Sequence, residues 1–494
     1  MKNLNLSKSS FIRGLQCKKS LYLYKNFYNL RDKLSPETLS KFSRGHNVGI
    51  LAQQLFPDGV NMQPYSPKQY ARSVTRTMEM ISGGSKTIYE AAFSYKDVIV
   101  FLDILNFENG KWHAYEVKSS ASVSETYKMD ASLQYYVITN SGTALNSFNI
   151  IYINENYKRQ EQLDINKLFC FYDVLNEVKN NLTFISEEID KFKTLLSNKD
   201  IPDVEIGTHC SRPYLCDFYN FCRKDIPKNN SIFSIPSLSE REQYSLYKKG
   251  ITSIENIPGK MELSGIQKMQ IDCHIKKTEF VNIEELKKYF SKIKYPLLIA
   301  DIQWCKTAIP GRKNINPYQH VPFSIQSVLI DNNGNETGAC NYFQEDFHLN
   351  TEKLYQNIFD EFNKASTILC FSKPQMICIL QTLCNDGYLK SSQISDFEKR
   401  MIDMETFFNE NIYYNPLLSS ENELQNIARH IFKTRISREM PSSDIIASDL
   451  YDSLQVETDM FNLLEIKEKL NEYANFKLET IKKFFFYLKG KTTS

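Results

Sequence analysis

Within FLDILNFENGKWHAYEVKSS (residues 101–120), three charged residues are spaced as a catalytic centre would need them. Asp103 ends an apolar, strand-like run, and Glu116, Val117 and Lys118 follow after the turn ENGK. A Glu and a Lys two positions apart project from one face of a strand, while the valine between them points the other way into a core. A carboxylate between Leu102 and Ile104 is costly to bury unpaired. A divalent cation removes that cost, because Mg²⁺ is held by one or two carboxylates and keeps several waters ready to meet a phosphate. Lys118 is then placed to orient or deprotonate an attacking water and to stabilise charge building on phosphorus oxygens. The same residues also suit an exposed cross-strand Glu–Lys pair, with Asp103 at a turn.

A second group is made of thiols. HCSRPYLCDFYNFC sets Cys210, Cys216 and Cys222 at CX5CX5C spacing, and Cys17 lies far upstream in GLQCKKS. Eleven cysteines in a chain whose opening has no apolar signal-peptide core do not read as a disulfide scaffold. The other seven (Cys170, Cys273, Cys305, Cys340, Cys370, Cys378 and Cys384) are scattered among apolar residues and read as small core filler.

Hydrophobic periodicity supplies the scaffold. Residues 7–56 alternate apolar and basic positions at helical spacing, which predicts two short helices. TIYEAAFSY, DVIVFLDILNF and WHAYEVKSS read as a strand meander, residues 122–140 as a helix, 148–154 as a strand, and 164–199 as a long amphipathic helical stretch. That order suits an α/β domain. Residues 223–235 are polar and Pro/Asn-rich, a linker composition. LSEREQYSLYKKGITSIENIPG after it fits two short helices around Gly250, as a helix-hairpin-helix element or a plain spacer. A second α/β pattern begins with PLLIADIQW, continues through FSIQSVLIDNNGN and ASTILCFS, and ends in helices up to about residue 488.

At 494 residues the chain is too long for one core, and 42% hydrophobic with 24% charged residues is an ordinary globular balance. No apolar run reaches the roughly 20 residues of a membrane span, so no membrane partner and a cytoplasmic location are expected. The net charge of +2 is uneven: +8 over residues 1–50, +5 over residues 1–230, and −3 over the remainder. A basic first half permits nucleic-acid contact, and a solvated basic surface fits equally.

D-(X12)-EVK, followed by a helix carrying Gln134, Tyr135 and Tyr136, resembles the PD-(D/E)XK core of RecB-type nucleases, including the CRISPR-associated RecB-like exonucleases. The resemblance implies a restriction-endonuclease-like fold over residues 1–225 and a metal-dependent deoxyribonuclease. Catalysis would then fall to Asp103, Glu116, Lys118, Gln134 and Tyr135. RGHNVGILAQQLFPDG resembles the helix on which such nucleases carry a histidine metal ligand, so His46 joins Asp103, Glu116 and Glu90 as the implied Mg²⁺ or Mn²⁺ set. In these relatives one N-terminal and three C-terminal cysteines hold a [4Fe-4S] cluster. The resemblance therefore assigns Cys17, Cys210, Cys216 and Cys222 to a clasp closing the domain's two ends, with zinc as the alternative metal. The relatives usually have CX2C where this chain has its first CX5C.

After a helical linker region over residues 226–290, residues 291–494 resemble an exonuclease-like domain of unknown function with the RNase H-like fold of DEDD exonucleases. The resemblance rests on ADIQW and NPYQHVPFSIQ. Such enzymes need four carboxylates for two metal ions. Asp301 is present, Gln303 replaces the glutamate, ASTILCFS offers no acid, Asp403 reads as a structural survivor, and Glu479 stands where relatives end YXXXDT. The expectation is a catalytically inactive fold binding nucleic acid or, given its negative balance, a protein partner. For the whole chain it is a DNA nuclease acting on single strands or free ends in repair or mobile-element defence. The alternative is a non-catalytic nucleic-acid- or partner-binding scaffold, its cluster structural or redox-sensing.

Overall fold

The protein is described by a computed structural model covering residues 6–344, 351–418 and 423–493. It is a mixed α/β chain of two compact units, one of Met1–Tyr157 with Leu163–Asp225 and the other of Lys158–Gln162 with Ile226–Ser494. No helix among the described residues is long and apolar enough to cross a membrane.

The first unit is built on strands β1 (Leu6–Ser7), β2 (Val60–Asn61), β3 (Thr87–Tyr95), β4 (Val98–Glu108), β5 (Lys111–Val117), β6 (Leu145–Ile153) and β7 (Phe169–Asp173). Its sheet runs β2-β3-β4-β5-β6-β7, with β1 added to the start of β4. The β3–β4–β5 meander is antiparallel, and β5 and β6 are parallel, joined through α5 (Glu125–Asn140). The other helices are α1 (Lys8–Gln16), α2 (Lys18–Asn26), α3 (Pro36–Gln53), α4 (Tyr70–Ser82), α6 (Ile165–Leu168), α7 (Leu175–Asn180), α8 (Leu182–Ser197) and α9 (Tyr219–Cys222).

One core joins the sheet to α1, α2, α5 and α8 through Phe11, Leu21, Leu133, Val137, Ile185, Ile189 and Phe192. On β3 it takes Ile88, Ala91 and Phe93, and on β4 it takes Val100, Leu102 and Leu105. The three-residue steps 88 to 91 and 102 to 105 break strict alternation. Glu90, in the left-handed region at φ 51°, and Asp103 lie opposite each other at that break. A non-glycine residue with positive φ is strained, a feature typical of functional sites.

The start of α1 is fixed by a capping box between Ser7 and Ser10, and α1 ends at Cys17, whose extended backbone also opens α2. A Cβ on Gly14 would stand 2.7 Å from two ring atoms of Phe192 and 2.9 Å from Leu21 Cδ2. Gly14 thus lets α1 lie close on α8. Gly14→Ala should destabilise the unit by about 1–3 kcal/mol, the range for overpacking, measurable by urea denaturation. A wild-type midpoint would contradict this packing.

The sequence expectations met β3 and α5 closely and missed others for visible reasons. Three helices, not two, occupy the opening region. Helix α4 was not anticipated because its buried positions include Ser73 and Thr77 rather than large apolar residues, and Thr77 Oγ1 accepts the Ala92 amide at 3.0 Å. Strand β7 interrupts the stretch expected to be helical. It is mostly exposed after Phe169, so no alternating apolar face announces it.

The second unit has strands β8 (Phe280–Val281), β9 (Leu297–Cys305), β10 (Val321–Ile330), β11 (Glu336–Phe343), β12 (Thr367–Cys370), β13 (Met401–Asp403) and β14 (Tyr413–Tyr414). Its main sheet runs β11-β10-β9-β12-β13: the first three strands are antiparallel, and β12 and β13 lie parallel to β9. Every residue of β9 is buried, as suits a strand covered on both faces. Three helices, α10 (Glu240–Lys248), α11 (Gly265–Lys276) and α12 (Ile283–Ser291), precede β9; Ile232, Leu246 and Ile271 belong to a small core of this region.

Beyond β11 come α13 (Glu352–Lys364), α14 (Lys373–Asn385), α15 (Ser391–Arg400), α16 (Glu405–Asn409), α17 (Glu423–Asn426) and α18 (Asp444–Ser453). The chain then forms the long helix α19 (Met460–Lys491). Leu354, Ile358 and Leu380 pack in one core cluster with Leu298 and Ala300 of β9, and Ile481, Phe484 and Phe485 of α19 pack in another with Leu297 and Ile299.

Candidate active site

Glu116, near the end of β5, and Lys118, the first residue beyond it, project to one side, as a two-residue strand repeat dictates. The Lys118 amide continues the ladder to Ile151 O at 2.8 Å, so the side chain leaves a fixed backbone. Lys118 Nζ donates to Glu116 Oε1 at 2.7 Å and to Asp130 Oδ2 at 2.8 Å. Gln134, one helical turn after Asp130 on α5, donates to Glu116 Oε2 at 2.8 Å. Asp103 Oδ2 accepts the Val117 amide at 2.6 Å, which ties the β4 carboxylate to the β5 strand.

Two residues of this centre were not anticipated from sequence. Asp130 is one, although its i, i+4 spacing from Gln134 was visible. Lys8 is the other: at the first position of α1, its Nζ lies 2.6 Å from Glu116 Oε1 and 3.7 Å from Asp130 Oδ2.

The electrostatics separate the carboxyls. Burial pushes Glu116 up, but the Lys118 and Lys8 ammoniums outweigh it and hold the group down to about 2. Burial, then repulsion from Glu116, pushes Asp103 up to about 8 and Glu90 up to about 6. Burial pulls the Lys118 ammonium down, yet Asp130 and Glu116 hold it charged well above the usual lysine range. Asp130 Oδ1 and Gln134 Oε1 are buried without a hydrogen-bond partner.

The remaining expected residues are placed unevenly. Glu90 faces the cluster from β3. His46 is exposed on α3, whose Gly45 lies alongside Ser119: a Cβ there would be 3.9 Å from Ser119 Oγ. Tyr135 and Tyr136 turn into the hydrophobic core, and Tyr136 OH shares a 3.0 Å hydrogen bond with Ser186 Oγ. Among the described residues no three His, Cys, Asp or Glu side chains are gathered as a group that could hold a metal ion. The donor chemistry nevertheless suits a hard cation. Asp103, Glu116, Glu90 and Asp130 offer oxygens; Asp130 Oδ1 has no hydrogen-bond partner, and burial and mutual repulsion disfavour the charged forms of Asp103 and Glu90, which a cation would restore.

Cys17, Cys210, Cys216 and Cys222 all line one small cavity, together with Ser20, His209 and Phe218. Burial pushes the Cys222 thiol up to about 11 against the opposing Lys19 ammonium, with neighbouring cysteines adding to the rise, and burial also raises Cys17 and Cys210. All four are free thiols in this arrangement, and they form no ready metal group. Their donor set suits an iron-sulfur cluster or zinc, either of which would require the thiols as thiolates. Helix α1 is anchored to this region: Gln16 Nε2 donates to His209 O at 2.7 Å and Tyr214 O at 2.6 Å, and Arg13 pairs with Asp217 at 2.7 Å.

The second unit holds a cavity of about 310 Å³ lined by Asp301, Glu405, Asp444, Tyr473 and Lys477 among others. Lys477 Nζ lies 3.2 Å from Asp301 Oδ1 and 2.8 Å from Asp444 Oδ1, and Tyr473 OH donates to Asp444 Oδ1 at 2.9 Å. Gln303 donates to Asp301. Glu479, singled out in the sequence, instead faces outward and pairs with Lys482 at 2.6 Å. Two residues along a helix turn a side chain by about 200°, so Lys477, one turn after Tyr473, is the residue that reaches the cavity. Asp403 caps its own loop by accepting the Glu405 amide at 3.0 Å, and Glu405 rather than Asp403 lines the cavity.

No curated protein matches the sequence. A solved structure titled "Crystal structure of SSO0001" is similar at 12% identity and a TM-score of 0.22, over 45% of this chain and 87% of that one, a likeness too slight to bear on the fold. Residues 300–422, which contain β10, β12, β13 and most of β9, match a domain of unknown function, DUF2779.

Proposed function

We propose that the first unit is a metal-dependent deoxyribonuclease of the RecB-like PD-(D/E)XK type, acting on single-stranded or free DNA ends in the cytoplasm. The observation that carries this reading is the convergence of Asp103, Glu116, Lys118 and Gln134 from two strands and a helix. With Glu90, Asp130 and Lys8 they form a buried centre of four carboxyl groups and two ammoniums. Mg²⁺ or Mn²⁺, when bound, would polarise the phosphate and supply an activated water. Asp103 and Glu116 would hold it, with Glu90, Asp130 and, from α3, His46 as the candidates to complete the set. Lys118, kept protonated by its carboxylate neighbours, serves as a positioned positive charge for the developing phosphorane rather than as a base. Gln134 keeps the Glu116 carboxylate from rotating.

The four cysteines would hold a [4Fe-4S] cluster, or zinc, as a clasp between α1 and the segment around Cys210–Cys222. The second unit is then an RNase H-like fold without its own catalysis. Its buried Lys477 supplies positive charge where an exonuclease of the DEDD type would need metal, which leaves the unit to bind a protein partner or nucleic acid.

The test is cleavage of end-labelled single- and double-stranded DNA by anaerobically purified full-length protein with Mn²⁺ or Mg²⁺. Cutting should stop on chelation. The rate at subsaturating metal should climb as pH rises toward about 8, because Asp103 must surrender its proton to bind a cation. Folded protein that binds DNA without cutting would instead favour the scaffold reading.

A further inference from the structure

Two ammoniums share the same two carboxylate oxygens. Lys118 and Lys8 both lie against Glu116 Oε1, at 2.7 and 2.6 Å, and both face Asp130 Oδ2, at 2.8 and 3.7 Å. They are not held alike. Lys118 extends from a backbone locked into the sheet and its side chain is 16% exposed; Lys8 stands at the first position of a helix and its side chain is 30% exposed. Glu116 Oε1 is filled, since it accepts from both lysines, while Oε2 accepts one hydrogen bond, from Gln134. A cation that takes Oε1, the oxygen both lysines share, must therefore displace one of them. The more exposed donor, with the longer contact to Asp130, is Lys8.

We propose that Lys8 is a resident counter-ion which competes with the divalent cation for Glu116 and Asp130, and which on displacement turns to the phosphate of bound nucleic acid. This rests on the nuclease reading and adds a coupling to it. A free centre keeps Lys8 on Glu116 and holds metal weakly. A nucleic-acid phosphate offers Lys8 another anionic partner and so raises the affinity for metal. By linkage, metal raises the affinity for nucleic acid by the same factor. Lys8 is here a positioning residue, acting on the reaction through the occupancy of Glu116.

The test is Mn²⁺ binding to the full-length protein without nucleic acid, by titration calorimetry and by loss of the free Mn²⁺ electron-resonance signal. Wild type is compared with Lys8→Met, which keeps the apolar stem but no charge, and Lys8→Arg, which keeps the charge. Thermal melts check that each is folded. Lys8→Met should bind Mn²⁺ at least about tenfold more tightly than wild type, and Lys8→Arg should remain close to wild type. Adding a phosphorothioate oligonucleotide should tighten Mn²⁺ binding by wild type and leave Lys8→Met nearly unchanged. Equal or weaker binding by folded Lys8→Met overturns the inference while leaving the nuclease reading intact, provided wild type binds Mn²⁺ and cuts DNA. Absence of Mn²⁺ binding by both proteins, with no cutting, overturns both.

Discussion

Replacing Lys118 with alanine should lower metal-dependent DNA cleavage by about 10²–10³-fold, the cost typical of removing one preorganised charge from a transition-state site. Binding of DNA should change little, because one phosphate contact among many is lost. The fold should also survive. Removing one partner of a buried ion pair costs several kcal/mol when the other charge is stranded, but Lys8 remains 2.6 Å from Glu116 and still neutralises it. The melting temperature should therefore fall by only a few degrees, whereas cutting nearly vanishes. A variant that cuts at the wild-type rate would place the active centre elsewhere in the chain.

The second large effect falls on stability in the other unit. Lys477 is the shared cation of Asp301 and Asp444, with side chains 6%, 9% and 27% exposed, respectively. Lys477→Ala should destabilise this unit by about 3–5 kcal/mol at neutral pH, the range for stranding buried charge, and Lys477→Met should lose a similar amount with most of the volume retained. The penalty depends on pH in a defined direction. Burial pushes Asp444 up, but Lys477 outweighs it and holds the carboxyl below its usual range in the wild type. Its stabilising share is therefore present above the unfolded carboxylate range and is lost as pH falls through the depressed native value. Asp301 is already raised by burial in the wild type, and without Lys477 both aspartates protonate more readily, so the gap to wild type should narrow as the pH is lowered into the acid range. Urea denaturation at several pH values measures this. A constant gap would assign the loss to packing, and no gap at pH 7 would remove the counter-ion role.

What sequence could show here was mostly local. TIYEAAFSY coincides with β3 because its aromatic and branched residues declare a half-buried strand, and Glu116 and Lys118 share a face because a strand repeats every two residues. Gln134 was placed by its spacing within a motif and does reach Glu116, but the neighbouring Tyr135 serves the core. Lys8 was out of reach: it meets Glu116 across 108 residues of chain, and nothing near it marks the encounter. In the second unit the error was one of phase. The sequence pattern points to Glu479, while a helix that turns Tyr473 toward the cavity presents position 477 beside it. The cysteines sit between these cases, since their grouping around one cavity followed from resemblance and not from spacing alone.

Helix α1 runs from Lys8 at the acid cluster to its cap Cys17 at the cysteine cavity, a single rigid rod joining the two. Its length therefore acts as a gauge. Inserting or deleting one residue between the two would turn one end against the other by about 100° and slide it by about 1.5 Å. No side-chain adjustment at Cys17 could restore a direction lost by that much. Point changes on the solvent face of α1 should be tolerated freely during evolution, while changes in its residue count should be rejected, so that the interval from Lys8 to Cys17 behaves as an indel-free ruler in functional descendants of this chain.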